Sequence, residues 1–188
     1  MTEAEITEIF RETGVIREGH FLLTSGRHSP IFLQCSQVLQ YPRKTELLAA
    51  DLAARHRDRG IQVVLGPAMG GVILAYEVAR QLGARALYLE KGPEGGMLLR
   101  RGFKISPGER VLVVEDAITT GGSVLKTIEA IRPLGVEIVG VGALVDRSGG
   151  GVDLGYPLSA LLTLEIPSHA PEDCPQCRAG VPLERPKL

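Results

Sequence analysis

The chain has 188 residues, of which 44% are hydrophobic and 23% charged, and its formal net charge is -1. That is ordinary globular usage at a length that supports one domain with a real core, and it offers no basic field to a nucleic-acid backbone. Three cysteines, Cys35, Cys174 and Cys177, do not make a secreted disulfide framework. The opening MTEAEITEIF is acidic, and no run of about 18 apolar residues follows, so neither a signal peptide nor a membrane span is expected. The expectation is a cytoplasmic protein with no nucleic-acid and no membrane partner.

Thr2 followed by Glu5 is a capping-box pattern, and Ile6, Ile9 and Phe10 share one face of a short amphipathic helix. GHFLLTSGRHSPIFLQC then holds two β-prone runs separated by Ser25 to Ser29, which predicts a hairpin in a small lobe. Pro42 is suited to a first helical position, and Leu47, Leu48, Leu52 and Ala53 keep the helical period until Gly60 supplies a stop.

From there the rhythm is strand, loop, helix. IQVVLG, ARALYLE, RVLVVED and VEIVGVGALVDR read as strands, while GGVILAYEVARQLG and GSVLKTIEAIRPLG read as helices. The strands are continuous apolar runs rather than alternating ones, as expected when helices cover both faces of a parallel sheet. SALLTLEIP is expected to add a last strand, and SHAPEDCPQCRAGVPLERPKL reads as an irregular tail. The organisation predicted is one α/β domain over residues 1–188, with a hood over 1–40, a core over 41–165 and a tail over 166–188. KGPEGGMLLRRGF, residues 91–103, stands where a helix would be expected between strands, and its glycines predict a mobile loop of the kind that closes over ligands.

The stretch with the most chemistry is VLVVEDAITTGGS, residues 111–123. Glu115 and Asp116 end a buried strand, at the edge of an α/β sheet where ligands bind. Thr119, Thr120, Gly121, Gly122 and Ser123 then lead into a helix, whose open N-H groups and positive dipole end suit a phosphate. A phosphate beside two carboxylates would be repelled unless the same ligand also carried a vicinal diol for them to accept from. A ribose phosphate meets both demands. Neither a P-loop nor a Gly-x-Gly-x-x-Gly dinucleotide motif occurs.

This string closely resembles the phosphoribosyl pyrophosphate (PRPP) signature of type I phosphoribosyltransferases. With GHFLLTSGRHSPIF, GPAMGGVILA and LVDRSGG in the family's order, the chain most resembles the orotate-using members. The resemblance implies a parallel sheet flanked by helices with a small N-terminal hood containing a β-hairpin. It also implies transfer of the phosphoribosyl group of PRPP to orotate in pyrimidine biosynthesis, Mg2+ bound through the pyrophosphate, and a homodimer whose catalytic loop is shared across subunits. Two other readings stay open: a purine or uracil phosphoribosyltransferase, and a PRPP-sensing regulator without catalysis.

Carried over to this chain, the resemblance gives Glu115 and Asp116 the ribose hydroxyls, with Asp116 also a candidate acid or base. Ala117, Ile118, Thr119, Thr120, Gly121, Gly122 and Ser123 would wrap the 5-phosphate. Ala68 and Met69 fall in the pyrophosphate loop, while Lys91 and Arg100 are the catalytic cations of the glycine-rich segment, Lys91 also binding PRPP. Thr119, Arg147 and Phe32 would meet orotate, Arg147 taking its carboxylate in a guanidinium fork. The chain departs from the family at Thr24 and Gly70, where relatives often carry lysine, and at Glu94 and Gly96, where the family loop often carries Lys and His.

His169 and the Cys174–Cys177 pair supply part of a tetrahedral metal site, but no fourth ligand is evident in the sequence. No protein-bound metal is therefore predicted, and the tail reads as a structural clasp or a plain extension.

Overall fold

Thr2 caps the first helix, α1 (Glu3–Glu12), through the full capping box with Glu5, and Ile6 and Phe10 are its buried residues. The structure, a computed structural model, describes residues 1–23 and 25–186. Thr24 and the last two residues of the tail lie outside it.

The hood is an antiparallel pair, β1 (Ile16–Leu22) and β2 (His28–Leu33). Its second strand begins at His28, inside the segment the sequence reads as loop. The reason is tertiary: His28 exchanges both backbone hydrogen bonds with His169 of the tail, at 2.9 and 2.8 Å. Helix α2 (Pro42–Ala54) starts on its proline as expected, but Gly60, in the left-handed region at φ 57°, closes a following 3-10 turn rather than the helix itself.

The core alternates β3 (Val63–Pro67), α3 (Gly70–Leu82), β4 (Arg85–Lys91), β5 (Met97–Leu99), β6 (Arg110–Ile118), α4 (Gly122–Ile131), β7 (Glu137–Asp146) and β8 (Leu158–Thr163). A short helix, α5 (Pro175–Arg178), lies in the tail. The six core strands form one sheet in the order β5-β4-β3-β6-β7-β8, parallel except for β5. The predicted last strand is present as β8.

The glycine-rich segment departs from expectation. It is neither a helix nor an open loop but a hairpin, β4 turning back into β5 through Gly92–Gly96. Met97 is buried against the core while Leu98 is exposed, the alternation of a half-covered edge strand.

Both faces of the sheet are covered, which is why its strands show no polar alternation. On β3 and β6, Val64, Leu112 and Val114 face the layer of Leu48, Leu52, Leu74 and Val78 from α2 and α3. Val63, Leu65, Val111 and Val113 face Val124, Ile128 and Ile131 of α4. Each such side chain contributes about 1.5–3 kcal/mol on burial, so the central strands fix the position of whatever stands at their ends. The strand order reverses between β3 and β6, and their C-terminal ends open the crevice where α/β sheets take ligands.

Candidate active site

At that crevice β6 delivers Glu115 and Asp116. Glu115 is only 8% exposed, and its carboxylate accepts the Asp116 backbone N-H at 3.2 Å. Burial first, and then the neighbouring Asp116 carboxylate, push Glu115 up from 4.5 to about 8. Burial raises Asp116 as well, against the hydrogen bond it accepts from the Ala117 N-H. Two largely desolvated acids held side by side invite hydroxyl donors.

The chain then turns through Ala117 to Ser123 around a cavity of about 290 Å3. Gly121 sits at φ 74°, where an added Cβ would come within 2.5 Å of Leu154 Cδ2, so both backbone and space require glycine. It is the N-cap of α4 and provides no side-chain cap, which leaves the first N-H groups of the helix open toward the cavity. Lys91, at the end of β4, lines the same cavity. So does Lys126, which the sequence reading did not pick out; its Nζ donates to the carbonyl of Gly95 in the β4–β5 turn at 2.9 Å. The only sequence signal for it was a lysine one turn into the helix after the phosphate string.

The turn from β3 into α3 stands beside the acids. Ala68 N-H donates to Leu89 at 2.7 Å, and Met69 is 85% exposed. A Cβ on Gly66 would lie 2.3 Å from the Gly71 carbonyl, so the loop closes on itself backbone to backbone. A Cβ on Gly70 would lie 2.8 Å from Asp116 Oδ1.

A second cavity, about 530 Å3, lies between the hood and the end of β7. Leu22, Phe32 and Leu33 contribute apolar lining, and Arg147 lines the same cavity. Thr119 and Thr120 line both cavities, so ligands filling the two would be neighbours. The Arg147 backbone N-H donates to the Ile118 carbonyl at 2.7 Å, while its Nε is buried with no hydrogen-bond partner among the described residues. Buried Asp146 sets the geometry by accepting from the Ser148 N-H at 2.8 Å, the Ser148 hydroxyl at 2.7 Å and the Gly150 N-H at 3.1 Å.

The fold thus gathers Glu115, the 117–123 loop, Lys91, Phe32, Thr119 and Arg147 about one crevice, while Asp116, beside Glu115, is not in the lining of either cavity and packs against Gly70 of the β3–α3 turn. Arg100 is not among the residues lining these two cavities; its guanidinium lies 4.0 Å from Glu90, which also takes Arg101 at 2.7 Å. The ligands that the sequence left missing beside the two tail cysteines are supplied by the fold. The fold brings His20 and His28, not His169, beside Cys174 and Cys177, with the four ligand atoms within 4.8 Å of one another. Sequence spacing concealed this because the two halves come from opposite ends of the chain.

Residues 35–174 match the phosphoribosyl transferase domain family. Orotate phosphoribosyltransferase of Pelotomaculum thermopropionicum is 59% identical over 99% of this chain and 97% of that protein. The chain belongs to the orotate phosphoribosyltransferase family. A relative from Thermus thermophilus is 51% identical over 96% of this chain and 98% of its own length. Among solved structures, the Mycobacterium tuberculosis enzyme in complex with PRPP superposes with a TM-score of 0.69 at 28% identity, covering 86% of this chain and 96% of that one. The type I fold, with its mostly parallel sheet and N-terminal hairpin, is shared with these family members. Among the described residues, no helix is long and apolar enough to cross a membrane.

Proposed function

We propose that the protein transfers the 5-phosphoribosyl group of PRPP to orotate, giving orotidine 5'-phosphate and pyrophosphate, as a cytoplasmic step of pyrimidine biosynthesis. The observation that carries this reading is Arg147: a guanidinium with a buried Nε, unpartnered among the described residues, facing a cavity walled by Phe32 and adjoining the phosphate loop. Leaving such a donor unsatisfied costs about 1–3 kcal/mol, and an anionic base would recover it. A carboxylate on the pyrimidine fits the fork; an uncharged base does not.

In this reading the 117–123 loop and the start of α4 bind the 5-phosphate, and Glu115 and Asp116 accept from the ribose hydroxyls. The C1'–oxygen bond to pyrophosphate breaks with its electron pair leaving on the phosphate, the N1–C1' bond forms, and orotate N1 loses its proton. Positive charge grows on the ribose ring while negative charge grows on the leaving group, so fixed charges do most of the catalysis. Lys91 faces the leaving side, and Asp116 is the proposed acid-base group.

Phosphoribosyltransferases of this family use Mg2+ with PRPP. The hard carboxylate oxygens of Asp116, which stand against the turn at Gly70, suit such an ion, and the diphosphate would supply other oxygens. Bound this way, Mg2+ would neutralise charge on the departing pyrophosphate.

The homodimer belongs to the same reading. Ile73 and Tyr76 on α3 and Met69 just before it are exposed and apolar, as are Leu47 on α2 and Tyr41 just before that helix. Arg100, outside the lining of the two cavities described, is proposed to act on the neighbouring subunit's site as the β4–β5 hairpin closes.

The test is loss of orotate absorbance when the protein is mixed with PRPP and Mg2+, with uracil and adenine run in parallel. Consumption of orotate alone is expected. Turnover of another base, or PRPP binding with no turnover, would overturn the assignment.

A further inference from the structure

Four side chains that the proposed reaction does not use converge where the tail crosses the hood. His20 comes from β1 and His28 from β2, while Cys174 is the N-cap and Cys177 the third residue of α5. Three of the four are buried, and both tail cysteines are free thiols. The separations are His20 Nε2 to His28 Nδ1 3.1 Å, Cys174 Sγ to His20 Nε2 3.4 Å, Cys177 Sγ to His20 Nε2 3.7 Å, and Cys177 Sγ to His28 Nδ1 3.2 Å.

Hydrogen bonding alone does not account for this arrangement. The Val181 carbonyl lies 2.8 Å from His20 Nδ1, and because a carbonyl only accepts, Nδ1 carries the proton. His20 Nε2 then has one in-plane lone pair, yet a second imidazole nitrogen and two sulfurs all face it. A cation at the centre satisfies all four at once. Zinc bonds of about 2.05 Å to nitrogen and about 2.3 Å to sulfur at tetrahedral angles place N and N roughly 3.3 Å apart and N and S roughly 3.6 Å apart. The observed separations lie within a few tenths of an ångström of those values. The Val181 carbonyl is moreover the kind of outer partner that orients a metal-bound histidine.

We propose that His20, His28, Cys174 and Cys177 bind a structural zinc ion that clasps the C-terminal tail to the hood hairpin. Two thiolates and two imidazoles in a closed tetrahedral set select zinc over the hard cations Mg2+ and Ca2+, and they leave no open position for catalysis. The clasp has backbone support on both sides. Glu184 N-H donates to His20 at 2.8 Å, Leu22 N-H donates to Glu184 at 2.9 Å, and Gln176 Nε2 donates to Gly19 at 2.8 Å. Leu22 and Pro186 are both in the wall of the larger cavity, so the ion would hold one side of that pocket in place. This last consequence rests on the orotate reading; the metal itself does not.

The test begins with elemental analysis of the full-length protein purified without chelator, where about one zinc per chain is expected. Exchange with Co2+ should give the thiolate-to-cobalt absorption and visible d-d bands of a tetrahedral site. His28→Ala and Cys177→Ser should lose both signals, whereas His169→Ala should keep them. Chelation should lower the melting temperature, with recovery on Zn2+ but not Mg2+, and should raise KM for orotate more than KM for PRPP. Wild-type protein that takes up neither Zn2+ nor Co2+, or a Cys174–Cys177 disulfide by mass, would overturn the proposal whatever the activity. A zinc-loaded protein with unchanged orotate KM would keep the ion and discard its role at the pocket.

Discussion

The carboxylate of Asp116 occupies the space that a side chain at residue 70 would need: a Cβ on Gly70 would stand 2.8 Å from Oδ1 and 2.9 Å from Cγ. This favours glycine at residue 70 as long as the acid stands where it does. Here the turn after β3 carries no side chain at that point and packs directly on the acid of β6. Gly70→Ala is therefore expected to displace Asp116 and lower kcat/KM for PRPP by about 10- to 100-fold, comparable with loss of one preorganised polar group. Melting should change little, because Gly70 is the first residue of α3 and its φ is not in the left-handed region. Steady-state kinetics with a melting curve tests this; unchanged kinetics would mean the carboxylate has no fixed role.

Arg147 gives the sharpest substitution. Arg147→Met removes the guanidinium while keeping most of the stem, and it should lower kcat/KM for orotate by roughly 10- to 150-fold, the value of a hydrogen bond to a charged group. The effect should fall on orotate rather than on PRPP. Arg147→Lys should rescue poorly, because one ammonium cannot reproduce the planar fork. Equal loss for both substrates would place Arg147 in the architecture of the β7 end, alongside Asp146, rather than against the base.

How much of this was legible in sequence follows from where each part lies along the chain. The phosphate site could be read because strand end, loop and helix start are consecutive in residues 111–123. The strands could be read because both faces of β3 and β6 are buried, which leaves uninterrupted apolar runs. The β4–β5 hairpin could not, because its edge strand is three residues long and only Met97 in it is fully covered. Likewise the Cys2His2 cluster joins His20 to Cys174 across 154 positions, and nothing local to either half announces the other. Lys126 and the Arg100–Glu90 contact depend on how that hairpin folds back, which composition does not determine.

Glu115 makes stability depend on pH in a definite direction. Its pKa rises from 4.5 to about 8 on folding, so between those values the unfolded chain releases a proton that the folded chain retains. Stability contributed here declines as pH rises through that window and levels off above it. Glu115→Gln should therefore melt higher than wild type at pH 8.5 and about equally at pH 4.5, a gain of roughly 2–4 °C for each kcal/mol relieved. Activity above about pH 8, where Glu115 is ionised, should fall in the same variant, because the neutral amide is a weaker acceptor for the ribose diol. Parallel melting profiles across this range would contradict the burial argument.

His56 acts at the other end of the scale. It is buried, neither ring nitrogen has a partner among the described residues, and burial together with Arg59 and Arg55 lowers it from 6.5 to about 4. As pH falls from 6.5 toward 4 the unfolded chain takes a proton the folded chain refuses, so stability falls with it. His56→Leu should flatten this acid limb by a few degrees between pH 6.5 and 4.5. The difference between variant and wild type isolates His56 from other groups that titrate in acid. A variant as acid-sensitive as the parent would refute the assignment.

Lys126 tests whether the phosphate cavity uses a cation from within the helix. It is the fifth residue of α4, lines the cavity and adds to the field that attracts an anion there. Its Nζ donates to the Gly95 carbonyl, an exposed hydrogen bond that a phosphate would readily displace. Lys126→Met should raise KM for PRPP about tenfold and leave KM for orotate near its original value. Because the interaction is exposed and screened by salt, wild-type KM for PRPP should climb with ionic strength more steeply than that of the variant. The comparison is a KM titration at low and high KCl. If the two proteins show the same KM and the same salt slope, the hydrogen bond to Gly95 is the whole role of Lys126, and it only pins the β4–β5 turn.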